Sequence, residues 1–378
     1  MVRRALAVMV GLALSSAAMA DVVMLAADAG KEGHRVKIGD KTQRSLAKAD
    51  AGRAPDATGS IALTDASGME YFINTDITFT TSSSASGAAS EASYTQAVNA
   101  TTLNGGLVST TLNDAFDGYN ALCVSFDGGT GPCASGGGGK NLGFAYTMYN
   151  QNGPATLDTA CASRQVILPT ETIGALSVQR KVFVPDNDAF ARWLNVFTNT
   201  SGSSVSFNMI ASNNLGSDSN TTIVSSSSGD AAATTADLWV TTFQNFSGTT
   251  SSDPRLGHVL AGPGAPTPVS GINFANGDDN PFWSYSMTLA PGETRIIANF
   301  VAVQASRADA NAKAAELTAF TGNQTACMTS TELGQVANFV AGTQAPDVPV
   351  PATDRRILAA LAALTAALGV LALRARRA

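Results

Sequence analysis

Basic residues are scarce in this chain of 378 residues: 23 Lys and Arg stand against 29 Asp and Glu, and charged residues of either sign make up only 14%. A phosphate backbone rewards a basic footprint, so the sequence argues against nucleic acid as a partner. It argues equally against an anionic membrane surface for the body. The body is more acidic than the whole chain, because Arg3, Arg4, Arg355, Arg356, Arg374, Arg376 and Arg377 all lie in the two ends. Histidine, the commonest acid–base group at neutral pH, occurs only as His34 and His258. There is no Gly-x-Ser-x-Gly elbow, so a triad would have to join His258 to a distant serine and aspartate. The expectation for His258 is instead a loop histidine that hydrogen-bonds backbone. Tryptophan occurs three times. Trp193, Trp239 and Trp283 each fall in a strand pattern, where core packing is expected.

Solubility therefore leans on Ser, Thr, Asn and Gly, a surface common in extracellular proteins. The N-terminus agrees. Arg3 and Arg4 precede an apolar stretch over 5–14, and Ala18 and Ala20 occupy the small positions of an A-x-A site. This reads as a secretory signal peptide over 1–20, cut after Ala20 by signal peptidase once export machinery has engaged it. The four cysteines, Cys123, Cys133, Cys161 and Cys327, are an even number in an exported chain, which favours disulfides. Cys123 and Cys133 flank a short Gly/Asp loop and are the expected pair, leaving Cys161 with Cys327; spacing alone leaves all three pairings open. No close Cys-x-x-Cys pair supports a metal site instead.

At the other end, residues 357–373 carry no charge and would make a helix about 25 Å long, the short end of a membrane span. Arginines stand on both sides, and a basic tail over 374–378 closes the chain. The stretch Val348-Pro349-Val350-Pro351-Ala352-Thr353 precedes it, in a linker over 342–356. This layout resembles the exosortase-type sorting signals of Gram-negative bacteria, in their Pro-Glu-Pro and Ile-Pro-Thr-Leu classes. Val350 stands where the first class has glutamate, and the leucine of the second is missing. The resemblance covers about the last 30 residues and rests on Pro349 and Pro351. It implies a transmembrane helix, a membrane-embedded sorting protease as partner, transient anchoring in the inner membrane, and release to the cell surface, outer membrane or medium. A plain tail anchor and a packed Ala/Leu helix are the alternatives.

Between the ends, strand signals recur. Val178, Arg180, Val182 and Val184 alternate with polar neighbours, Pro185-Asp186-Asn187 stops the run, and Trp193 to Phe197 resumes it. Val205, Phe207 and Met209 follow with period two, as do Trp283, Tyr285, Met287 and Leu289. The pattern predicts a mainly β fold of antiparallel β-sandwich modules, one large supersandwich being the alternative to two. The boundary is expected near residue 165, giving a β-rich domain over 21–165 and a sandwich domain over 166–341. The four-glycine run at 136–139 reads as flexible. One accessory helix is expected over 307–320, with Ala312, Ala315, Leu317 and Phe320 as its apolar stripe. The stretch ETIGALSVQRKVFVPDNDAFARWLNVFTNTS is similar to segments of uncharacterised secreted bacterial β-sandwich proteins, which supports the fold and assigns no catalytic residue.

The chemistry is thin. Paired carboxylates for glycoside hydrolysis could come from Asp186 with Asp188 or Asp278 with Asp279, though acidic pairs in turns also cap backbone amides. Asp278, Asp279 and Asn280, within Asn276-Gly277-Asp278-Asp279-Asn280, are the calcium candidates; Asp218, Ser219, Asn220 and Asp230 offer further oxygens. None follows the helix-loop-helix calcium pattern. Tyr119 and Phe282 fall in turn-like sequence and are the aromatics expected to reach a sugar. The main expectation is an exported structural or adhesive protein of the cell surface or extracellular matrix, needing no cofactor. The alternatives are a carbohydrate-binding or calcium-dependent recognition module, with surface glycans or matrix as partners, and an exported hydrolase.

Overall fold

The period-two runs of the sequence become long rungs of two antiparallel sheets. The computed structural model describes residues 59–75, 86–101, 106–129, 138–141, 144–149, 155–216, 220–244 and 253–342. The signal peptide with Ala20, His34, Cys133, Asp218, Ser219, Pro349, Pro351, the apolar stretch at 357–373 and the basic tail lie outside them.

The described strands, in chain order, are β1 (Ser60–Thr64), β2 (Met69–Asn74), β3 (Ala89–Tyr94), β4 (Val98–Thr101), β5 (Leu107–Thr110), β6 (Gly118–Ser125), β7 (Gly138–Asn141), β8 (Phe144–Met148), β9 (Thr156–Leu157) and β10 (Gln165–Ile167). They continue as β11 (Glu171–Ile173), β12 (Leu176–Phe183), β13 (Ala191–Asn199), β14 (Val205–Asn214), β15 (Thr221–Ser226), β16 (Trp239–Gln244), β17 (Arg255–Val259), β18 (Gly271–Asn273), β19 (Phe282–Leu289) and β20 (Thr294–Gln304). The first sheet runs β1-β2-β3-β6-β14-β19-β18, with β8 also on β6 and β7 on β8. The second runs β15-β16-β17-β20-β13-β12-β10-β9, with β11 folded back on β12, and β4 and β5 form a separate two-stranded ribbon.

Alternation sorts each strand between two faces. On β13, Trp193 and Phe197 enter the core between the sheets, while Leu194 joins a second cluster on the far side of the second sheet. On β20, Ile297, Val301 and Val303 face the first sheet, and Ile296, Ala298 and Phe300 face the second cluster. That second cluster is closed by helix α1 (Arg307–Leu317), by Phe320 and Phe339, and by the segment around helix α2 (Ser330–Gln335). The architecture is thus a sandwich of two sheets with a helical layer outside one of them.

Helix α1 starts where the sequence places it. Ser306 is its N-cap, its side chain accepting a hydrogen bond from the Asp309 amide. It ends at Leu317, three residues short of expectation, and Phe320 beyond it has φ +49°. Its buried stripe is Ala310, Ala314 and Leu317 rather than one through Ala312 and Ala315, which are exposed. With alanine on every side of the helix, composition cannot choose the face. What chooses it is Gly257 on β17: a Cβ there would meet the Ala310 carbonyl and the Ala314 methyl, both at 3.0 Å. Gly257→Ala is expected to push α1 off the sheet at a cost of about 1–3 kcal/mol, read as a lower urea midpoint at unchanged slope.

Three expectations need correction. The boundary near residue 165 is absent from this fold, because β6, before it, pairs along most of its length with β14, after it. All the described residues belong to one compact unit ending at Gly342. The glycine run is not simply flexible: Gly138 and Gly139 pair with Thr147 and Tyr146 in a strand ladder, whose bonds come from backbone groups that glycine retains. Finally, no helix among the described residues is long and apolar enough to cross a membrane. The fold class is corrected accordingly to a mainly β, multi-sheet one whose described helices are short; the span expected at 357–373 lies outside the described residues.

Candidate functional site

His258 is the acid–base group on which a hydrolytic reading depends. Alternation along β17 turns it, with Leu256, into the space between the sheets, where it is fully buried. Its Nδ1 lies 2.8 Å from the Tyr119 hydroxyl of β6, and its Nε2 lies 3.0 Å from Thr242 Oγ1 of β16. The Tyr119 ring stacks on it, Phe274 meets it edge-on, and Trp283 stands 6.1 Å away. Burial pushes His258 down to about 3, so the ring is neutral at physiological pH. It is a strand residue that joins the two sheets, not the loop histidine expected.

A second buried seam sits beside it. Arg180 is fully buried on the inner face of β12, as its alternation required. Its Nε donates to Asn195 Oδ1 at 2.9 Å, Nη1 to the Ser86 carbonyl at 3.1 Å, and Nη2 to both oxygens of Asn120. Burial lowers it to about 9, which leaves it charged at neutral pH. These bonds hold Asn120, inside β6, at φ +61°, a left-handed conformation that a non-glycine residue adopts only under such constraint. From Asn195 the chain runs through Asn299 to the Tyr285 hydroxyl and the Leu260 carbonyl. Fully bonded polar seams of this kind fix how two sheets sit on one another.

The carboxylate pairs do not form hydrolytic sites. Asp188 accepts from Lys313 Nζ at 2.7 Å, tying the Pro-Asp loop to α1. Burial works against its charge, but the bonds from Lys313 and the Ala189 amide outweigh it and hold Asp188 below the usual carboxylate range. Asp186, its partner in sequence, is exposed. In the calcium candidate, Asn276 Oδ1 is taken by the Ile223 amide at 2.7 Å, and Asn280 Nδ2 donates to Asp279 Oδ2. Burial raises Asp278, with the neighbouring Asp279 carboxylate adding to the effect, the opposite of what a cation-ready ligand needs. Asp230 is spent on Ser226, Ser228 and the Ala232 amide. Among the described residues no group of three or more His, Cys, Asp or Glu could hold a metal ion.

Cys161 and Cys327 are joined, tying the turn before β10 to the segment before α2. Cys123 is also disulfide-bonded, its partner lying outside the described residues.

The aromatics are not disposed as the turn signals suggested. Tyr119 is fully buried and Phe282 nearly so, both within strands. Trp193 and Trp283 are fully buried, and Trp239 is half-buried. Among the described residues the aromatic that stands out into solvent is Phe126, 43% exposed, directly after β6. Its ring lies against Gly174 in the β11–β12 turn, where a Cβ would come within 2.8 Å of it, and beside Phe207 at 6.4 Å. Sequence reasoning missed it because Ser125-Phe126-Asp127-Gly128-Gly129 reads only as a turn. The signal was an aromatic placed immediately before Asp-Gly-Gly, where a strand must end.

No family model matches the chain. No curated protein matches it either. Solved structures with a similar arrangement include a polysaccharide lyase, at TM-score 0.38 and 14% identity over 66% of this chain and 34% of that one. Others are a galactose mutarotase-like protein from Lactobacillus casei, at TM-score 0.35 and 9% identity over 65% of this chain and 100% of that one, and one from Clostridium acetobutylicum, at 0.31 and 12% over 65% and 94%. The chain spans about a third of the lyase. These likenesses assign no activity and no residue role to this chain. The transmembrane helix and the exosortase substrate expected from the C-terminus are overturned together: neither the described helices nor these proteins supply them.

Proposed function

We propose that the chain is an exported, non-catalytic recognition protein whose partner class is carbohydrate, met at the cell surface or in the extracellular matrix. The observation that carries this reading is the fate of the acid–base candidates. His258 is sealed between the sheets, Asp188 is committed to Lys313, and the oxygens around Asp278 are engaged with backbone and with each other.

What the sandwich presents outward is of another kind. Ser206 and Thr288 face one another across β14 and β19, exposed, with their hydroxyls 2.8 Å apart, and Ser286 is exposed one rung away. Hydroxyl rows on a rigid sheet, with an aromatic ring at its end, suit a polyhydroxylated ligand that needs many weak polar contacts. The Cys161–Cys327 bond supports an oxidising compartment and hence export.

The test is a glycan array probed with the purified protein, followed by a reducing-end assay on whatever it retains. Retention without release of reducing ends is expected. Turnover that survives repurification would overturn the non-catalytic reading, and failure to retain any glycan would overturn the partner class.

A further inference from the structure

We propose that the end of the sandwich at Phe126 is a subsite for the apolar face of a neutral pyranose, with Asp127 accepting hydrogen bonds from the sugar's rim hydroxyls. The proposal rests on carbohydrate being the partner class and adds the place and the kind of sugar.

The first ground is that the ring is exposed and yet fixed. A surface phenylalanine is ordinarily free to swing toward apolar cover. Here the inward route is filled by Phe207, itself against Phe197 at 5.2 Å, and the seat under the ring exists only because position 174 is glycine, held at φ +57°. One face of the ring is therefore seated, and solvent reaches the remainder.

The second ground is that the polar group beside it is aimed by a relay. Ser286 Oγ donates to Asn208 Oδ1 at 2.7 Å, and Asn208 Nδ2 donates to the Gly129 carbonyl at 2.8 Å. The Gly129 amide donates to Ser125 Oγ at 3.1 Å, and Ser125 Oγ donates to Asp127 Oδ1 at 2.7 Å. Ser125, Asn208 and Ser286 stand in one register across β6, β14 and β19, so the relay is anchored in the sheet. Asp127 and Gly128 are exposed, and nothing lies within 4 Å of where a Gly128 Cβ would be.

A prealigned ring beside a prealigned carboxylate lowers the ordering cost of binding. Pyranoses offer what fits: a C–H face for the ring and hydroxyl donors at its rim for the carboxylate. A uronic or sulfated sugar would bring its own negative charge against Asp127 in a chain of net charge −6. A peptide is a poorer fit, because the feature is one ring edged by polar groups rather than an apolar groove.

The experiment is affinity electrophoresis and calorimetry of the full chain against galactan, glucan and mannan, with alginate and polygalacturonate as the acidic set. Neutral polymers should bind and acidic ones should not. Phe126→Ala should weaken binding at least tenfold, and Phe126→Trp should retain or strengthen it. Phe126→Leu, which keeps apolar bulk, guards against a variant that fails to fold. Gly174→Ala, which fouls the ring's seat, should weaken binding as well. Equal affinity of the wild type and the Ala or Leu variant, with binding intact, would overturn the subsite and leave the carbohydrate reading standing. Preference for the uronate polymers would overturn the neutral class. No binding to any polymer would overturn the underlying reading itself.

Discussion

His258→Gln should make mild acid a stabilising condition for this protein. Two buried groups in the wild type respond to acid in opposite directions. His258 is lowered by burial from 6.5 to about 3, so the unfolded chain binds its proton more tightly. Its contribution is complete above pH 6.5 and is lost as pH falls toward 3, about 5 kcal/mol in all at roughly 1.4 kcal/mol per unit. Asp65 does the reverse. Burial raises it from 3.8 to about 6, against the hydrogen bonds it accepts from Ser67, Met69 and Tyr71. Its contribution is complete below pH 3.8 and is lost as pH rises through 6, about 3 kcal/mol in all. Between pH 6.5 and 4 the two largely offset one another. His258→Gln leaves only the second, so unfolding free energy should rise by about 2 kcal/mol across that window. Asp65→Asn leaves only the first, and it should fall by about 3 kcal/mol. Urea titrations at stepped pH give both numbers. Parallel profiles for all three proteins would mean that neither group is sealed as described.

Removing the Cys161–Cys327 bond should cost the most stability of any single change. The bond closes a sequence separation of 166 residues, for which chain entropy alone gives about 5 kcal/mol, an upper figure for loops this long. The loss should also be local before it is global. Cys327 is held at φ +63°, and Ala162 and Ser163, beside Cys161, at +49° and +60°. The bond helps keep these left-handed residues in place. What remains after its removal is Arg192, whose Nη1 donates to the Gln324 and Ala326 carbonyls at 2.7 and 2.8 Å while its guanidinium lies over Phe183, and the Lys181–Glu332 pair. In Cys161→Ser/Cys327→Ser, amides of 322–335 should exchange faster than those of β13 and β20 while the sandwich persists. Unchanged exchange there, with an unchanged denaturation midpoint, would show that Arg192 alone holds the segment.

Much of the sandwich was legible because it is written in period two. Val178, Arg180 and Val182 share a face in the sequence and share it in the fold. The alternation was strict enough to place even a charged arginine inward, though not to say what would satisfy it. Asn195, Asn120 and the Ser86 carbonyl come from distant parts of the chain, and no local pattern links them. Tyr119 and Phe282 were misjudged for a related reason. Gly118 and Pro281 beside them signal turns, but each residue is the start of a strand that tertiary pairing extends and buries. The single domain escaped notice because β6 and β14 are about 90 residues apart, and sequence carries no mark of which strands will pair across that distance. Phe126 was missed because exposure is a property of how a strand ends, and only the partner turn at Gly174 determines it.

The strand order bears on when the molecule takes shape. In the first sheet β14 lies between β6 and β19, and in the second β20 lies between β13 and β17. The late strands β19 and β20 are therefore interior to their sheets rather than additions at an edge. Until residue 304 has been synthesised, β17 and β13 have no strand to join them, and the first sheet lacks its partner for β14. Contacts this distant along the chain form slowly. A nascent chain would remain extended through most of its synthesis and close in one late step. A polypeptide of that kind stays threadable, which is the state in which a chain bound for export has to cross.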